Sequence, residues 1–79
     1  MFSEDILLEN HLLYDVYPPI ESGILETAMK FCKQAIKACE NGESGRRIAL
    51  PSGAVQTAGE LVDGLNLGGF VEMRLQKEA

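Results

Sequence analysis

From Ile20 to Asn41 the apolar positions recur at helical spacing. Ile24, Ala28, Phe31, Ala35 and Ala38 fall in one row, and Leu25, Cys32, Ile36 and Cys39 in a second row beside it. Together they form the broad apolar stripe of a helix with one face to bury. Glu26, Lys30, Lys33, Lys37 and Glu40 follow at steps of four and three on the opposite, wet face. Pro18 and Pro19 cannot continue a helix from upstream, and Ser22 is placed to accept hydrogen bonds from the first turn. Asn41-Gly42 supplies the left-handed residue on which helices commonly stop.

Upstream, Ser3 can cap a helix running from about Glu4 to Leu13, carrying Ile6, Leu7, Leu8, Leu12 and Leu13 with Glu4 and Asp5 near its positive end. The competing pattern is a strand from Leu12 to Tyr17, with Leu12, Tyr14 and Val16 on one face. Downstream, Gly42 to Gly45 reads as a flexible connection, and Arg46-Arg47-Ile48-Ala49-Leu50 as a short strand halted by Pro51. A second helix is expected near Ser52, from the spacing of Ala54, Val55, Ala58, Leu61, Val62 and Leu65. Thr57 and Glu60 offer a capping box if it starts later, and Gly59 weakens it. Gly64 to Gly69 has turn chemistry. Val71, Met73 and Leu75 then alternate with Glu72, Arg74 and Gln76, the pattern of a half-buried strand.

Strand, helix, strand predicts a parallel crossover unit. The fold class that follows is α+β: a long amphipathic helix packed on a small two- or three-stranded sheet, with a shorter crossover helix, in a single domain over residues 1–79. Two strands alone are marginal in water. The sheet therefore calls for the Leu12 to Tyr17 strand or for a strand from another molecule, and this is the physical reason to expect a partner.

Composition narrows the class. With 79 residues the chain buries only roughly 60% of its unfolded surface, so its margin of stability is thin. An apolar share of 46% is enough to fold. No apolar run spans a bilayer and the N-terminus lacks the positive region of a signal peptide, so a cytoplasmic location is expected. Cys32 and Cys39, seven apart on one helix, lie about 10 Å apart along its axis and cannot bridge each other. Both are expected as free core thiols in a reducing compartment.

The net charge of −5 is unevenly spread. Residues 1–29 carry Glu4, Asp5, Glu9, Asp15, Glu21 and Glu26 with no Lys or Arg, whereas residues 30–47 carry Lys30, Lys33, Lys37, Arg46 and Arg47 against Glu40 and Glu43. An acidic arm followed by a basic patch invites a charged partner or a second copy of the chain.

Catalytic motifs do not assemble. Gly42-Glu43-Ser44-Gly45-Arg46 falls one residue short of a nucleophile elbow and leads from helix to strand, the reverse of what that turn requires. Gly64 to Gly69 has the glycine spacing of a phosphate loop, but Phe70 stands where lysine is needed. Leu50-Pro51-Ser52-Gly53 is a better anion candidate, since it is expected to join a strand to a helix N-terminus, but a plain helix cap is the favoured role for Ser52. His11 is the single histidine, expected at the surface or its boundary. Neither it nor the two thiols meets a metal-binding spacing. Glu60 and Asp63 share a helix face that is too wet to shift a carboxyl into acid–base service. No catalytic residue, cofactor or metal is expected.

The reading that remains is a small acidic non-enzymatic protein that binds another protein as regulator, inhibitor or adaptor. Its contact residues are drawn from Glu4, Asp5, Glu9, Tyr14, Tyr17, Lys30, Lys33, Lys37, Arg46 and Arg47, and a homodimer fits the same pattern. A narrower version is a phage or mobile-element inhibitor of a host nucleic-acid enzyme, with Glu4, Asp5 and Glu9 standing in for phosphates. The alternative is a nucleic-acid-binding module using the Lys30, Lys33 and Lys37 stripe. The net negative charge and the lack of interleaved aromatics argue against it, and no membrane contact is expected.

Overall fold

The computed structural model describes residues 3–78. Ser3 caps the first helix as expected, its Oγ accepting from the Ile6 N–H at 3.3 Å. Helix α1 (Glu4–Asn10) runs directly into a π-helical turn at His11–Asp15. The competing strand from Leu12 to Tyr17 does not form. Leu8 and Leu12 are both fully buried, and a spacing of four puts them on one face of a helix. A strand would have sent Tyr14 to the same side as Leu12, yet Tyr14 is exposed.

A 3-10 turn at Ser22–Ile24 opens helix α2 (Leu25–Glu40), which buries Ala28, Cys32, Ala35, Ile36 and Ala38. Two details differ from expectation. Ser22 makes no capping bond, because the 3-10 turn moves the helix start to Leu25. For the same reason Ile24, which the spacing placed on the buried stripe, is exposed. The stop is as read: Gly42 takes φ +78, its N–H reaches the Cys39 carbonyl at 3.1 Å, and the Glu43 N–H reaches the Ala38 carbonyl at 2.7 Å. These two bonds close a Schellman motif.

Strand β1 (Arg47–Ala49) lies where expected, but its partner is unexpected. Strand β2 (Val55–Thr57) pairs with it antiparallel, in the register Arg47 to Thr57, Ile48 to Gln56 and Ala49 to Val55. The chain reverses through Pro51-Ser52-Gly53, with Gly53 at φ +92. The second helix therefore begins late, as α3 (Ala58–Gly64), and the parallel crossover becomes a hairpin. Turn chemistry followed by two β-branched residues, Val55 and Thr57, outweighs the helical spacing that Val55 shares with Ala58. The capping box is present: Thr57 Oγ1 accepts from the Glu60 N–H at 3.2 Å, and Glu60 accepts from the Thr57 N–H at 3.0 Å. Gly59 has its own reason, since a Cβ there would sit 3.3 Å from the Ser44 carbonyl oxygen.

The final expected strand is a helix, α4 (Gly68–Glu78). Leu67 and Phe70 are buried, and Val71 and Arg74 half-buried, at steps of three, one and three. The alternation of Val71, Met73 and Leu75 was a five-residue coincidence, and Met73 and Leu75 are exposed. The turn between α3 and α4 is short, with Asn66 at φ 57 and both Gly68 and Gly69 inside the new helix. The architecture is thus α+β, mostly helical with one two-stranded antiparallel sheet. Helix α2 separates two cores. Leu8, Leu12, Ala28, Cys32, Ile36, Leu67 and Phe70 form one; Ala35, Ala38, Ile48, Ala58 and Leu61 form the other.

Candidate functional site

After the π-helical turn the backbone extends at Val16 and doubles back, and the Ile20 N–H donates to the Leu12 carbonyl at 2.9 Å. Ile20 packs half-buried against the first core. With Leu12 and Ile20 as its two anchors and Leu13 and Val16 half-buried, the rest of the intervening chain is exposed. Tyr17 is 96% exposed and Tyr14 77%, Pro18 and Pro19 are exposed, and Ile24 at the start of α2 is 54% exposed. The two tyrosines each carry a polar hydroxyl on an apolar ring, a side-chain type enriched at protein interfaces. The core beneath is closed without them.

The charged candidates divide into tied and untied groups. Arg74 donates through Nε and Nη2 to the two Glu4 oxygens at 2.8 and 2.6 Å, and through Nη1 to Glu40 at 3.3 Å. One guanidinium thereby joins α1, α2 and α4. Its hydrogen bonds hold the Glu4 carboxyl below its ordinary value of 4.5, against the opposing effect of partial burial. The same bonds to Glu4 push the Arg74 guanidinium up. Asp5 pairs with Lys33 at 2.6 Å, and Arg46 with Glu43 at 3.7 Å. Two of the acidic candidates and two of the basic ones are thus neutralised within the molecule. Glu9, Lys30, Lys37 and Arg47 are exposed with no opposite charge within 4.0 Å among the described residues.

The pattern of the sequence could not single out Arg74. Strand alternation puts it on a wet face, whereas in α4 it stands three and four residues after Val71 and Phe70, on the face that meets α1.

His11 sits at the boundary as expected. Its Nε2 donates to the Leu65 carbonyl at 2.9 Å, its ring meets Phe70 edge-on at 5.4 Å, and its Nδ1 lies 3.7 Å from Asp15. It joins the π-helical turn to the α3–α4 corner. Ser52 lies in the hairpin turn, where its Oγ accepts from the Ala54 N–H at 3.4 Å. With α3 starting at Ala58, neither the helix cap expected of Ser52 nor the anion candidate at Leu50 to Gly53 has a helix N-terminus behind it. Glu60 is committed to its cap, and hydrogen bonds from the Thr57 backbone and side chain lower its carboxyl pKa. Cys32 is a buried free thiol that desolvation pushes up to about 12, and burial raises Cys39 as well. Among the described residues no three His, Cys, Asp or Glu side chains cluster in a way that could hold a metal ion, and no helix is long and apolar enough to cross a membrane.

One open hollow, of about 600 Å³, lies on the outer face of the hairpin, lined by Arg47, Ala49, Val55, Gln56, Thr57 and Glu60; two more flank the charged groups. One, of about 650 Å³, lies among α1, the end of α2 and α4, with Leu7 and Met73 as its apolar lining and the Arg74 cluster along it. The other, of about 300 Å³, runs between α2 and β1, lined by Thr27, Lys30, Phe31 and Gln34 on one side and Ala49 and Leu50 on the other. No family model matches the chain, no curated protein matches it, and no solved structure matches it.

Proposed function

We propose that the protein is a non-enzymatic binding protein whose target is another protein, contacted through the segment Tyr14 to Ile24. The observation that carries this reading is the display of Tyr14, Tyr17 and Ile24 outside a finished core. Tyrosine is enriched at protein interfaces because its ring offers a large contact area at low entropic cost, with a hydroxyl to orient it. Regulator, inhibitor and adaptor all remain forms of this one activity. The narrower picture of an acidic mimic of nucleic acid has less support, because Glu4 and Asp5 are committed to Arg74 and Lys33. The lysine stripe likewise loses Lys33.

A photo-crosslinking amino acid placed at position 17, in the cells that produce the protein, tests the reading. A discrete adduct heavier than the chain is expected at 17 and not at the control position Glu72. Replacing Tyr14 and Ile24 with Ser should abolish it. Equal labelling at 17 and 72, or none at 17, would refute the proposal.

A further inference from the structure

The hairpin leaves one backbone edge open. The Ala58 N–H donates to the Arg46 carbonyl at 2.8 Å, and the Leu50 N–H to the Ala54 carbonyl at 2.9 Å. The even-numbered residues of this strand therefore face β2. Because pairing alternates along an antiparallel strand, the N–H and C=O groups of Arg47 and Ala49 point the other way. Among the described residues none of these four groups has a hydrogen-bond partner. Outward-facing N–H and C=O groups in a row are a template for another strand.

Beside this strand lies the 300 Å³ hollow against α2. Phe31 and Leu50 give it an apolar lining, while Lys30 borders it and Arg47 and Ala49 are exposed on the hairpin's outer face. Lys37 lies two turns beyond Lys30 on the same flank of α2. None of Lys30, Lys37 and Arg47 is paired to a carboxylate among the described residues, although Glu26 stands one turn before Lys30. Glu60 shares the hairpin's outer face with Arg47 and Ala49 but is held by its capping bonds to Thr57, so Lys30, Lys37 and Arg47 leave the margin of this edge positive on balance, in a chain whose net charge is −5.

We propose that the edge of β1 accepts an extended segment of a partner protein as a third strand, with alternating apolar and acidic side chains. Backbone groups of Arg47 and Ala49 supply the hydrogen bonds. The segment's apolar residues turn inward onto Phe31 and Leu50, and its carboxylates turn outward and to the rim, toward Arg47 and Lys30. Alternate side chains of an added strand reach the two faces in this way. The charge decides against a second copy of the chain as occupant. Pairing β1 with its own symmetry mate would set Arg47 and Lys30 of each copy against those of the other. This surface shares no residue with the Tyr14 to Ile24 segment, and either can fail without the other.

The test uses the full chain, labelled with nitrogen-15, and the blocked peptide Val-Glu-Val-Glu-Val-Glu-Val as probe. Saturable amide shifts are expected at Arg47 and Ala49 and in α2 from Thr27 to Gln34, and none with the lysine counterpart of the peptide. Ala49→Pro removes an outward N–H without touching a bond to β2, and should abolish binding. The double variant Lys30→Glu, Arg47→Glu alters two exposed side chains and should weaken binding roughly tenfold, the scale of two rim charges. It decides the matter if the proline variant does not fold. No saturable shift at millimolar peptide, shifts elsewhere on the chain, or binding that both variants leave unchanged would overturn the proposal. So would shifts at this edge that follow the protein's own concentration, which would give it to a second copy.

Discussion

Replacing Arg74 with Met keeps an unbranched apolar stem about as long as the arginine's own and removes the guanidinium that joins α1, α2 and α4. A charge-assisted hydrogen bond shielded from water is worth about 1.5–3 kcal/mol, and a fully exposed ion pair under about 1 kcal/mol. The Arg74 cluster lies between these limits: its side chain is 24% exposed, that of Glu4 28% and that of Glu40 12%. Loss of the guanidinium also leaves Glu40 shielded with no compensating charge. The expected cost is about 2 kcal/mol, out of a total of about 4–12 kcal/mol for a chain of this length. At about 4–8 °C per kcal/mol in a domain of this size, the melting temperature should fall by about 10 °C.

Urea unfolding of the wild type, Glu4→Gln, Arg74→Met and the double variant isolates the Glu4–Arg74 term. Its coupling should be about 1 kcal/mol or more at pH 7. The folded Glu4 carboxyl titrates below 4.5, so the unfolded chain takes up that proton at higher pH than the folded one. The stabilisation is therefore complete above the unfolded value and is lost as the pH falls through the depressed folded value. Coupling should shrink as the pH is lowered below 4.5. A single variant within 0.5 kcal/mol of wild type, or coupling that ignores pH, would refute the assignment.

Ile36→Ala should cost about 2–5 kcal/mol, since the side chain is fully buried, while Ile24→Ala should stay within about 0.5 kcal/mol; urea denaturation distinguishes the two rows of α2. Thr57→Ala breaks the capping box and should cost about 1 kcal/mol, seen as earlier melting of α3 by amide exchange. Gly42→Ala should cost about 1–2 kcal/mol in thermal melts, because φ +78 strains any Cβ, and Gly42→Asn should recover much of it. With a thiol reagent at pH 8, Cys39 should react in the native state and Cys32 only as the chain unfolds, because its pKa near 12 leaves almost no thiolate.

The sequence makes the long helix legible because two signals agree there: sixteen residues of consistent spacing and a written stop at Asn41-Gly42. At the hairpin, where signals conflict, the shorter-range one prevails. Pro51-Ser52-Gly53 turns the chain before helical spacing can act, and Val55 joins a strand although it sits in step with Ala58 and Leu61. At Val71 to Leu75 the two periods coincide over too few residues to separate, and burial of Leu67 and Phe70 settles the outcome in favour of helix. Tyr14 and Tyr17 are named as contact candidates from the sequence, but their exposure follows from the helical turn that buries Leu12 instead of a strand. The pairing of Glu4 with Arg74 is not readable, since 70 residues part them and nothing local marks either one.

The division of the interior by α2 carries a consequence for how the molecule comes apart. The core of Ala35, Ala38, Ile48, Ala58 and Leu61 is drawn from one uninterrupted stretch, whereas the other brings Leu8 to Leu67 and Phe70 from opposite ends of the chain. Each doubling of a loop adds about 0.6 kcal/mol to the entropy of closing it, so the terminal helices are the dearer half to hold in place. Amide exchange should find α1 and α4 opening together, ahead of the hairpin and α3. The guanidinium between them then acts as a latch on a two-leaved door, whose hinge side is the middle of the chain.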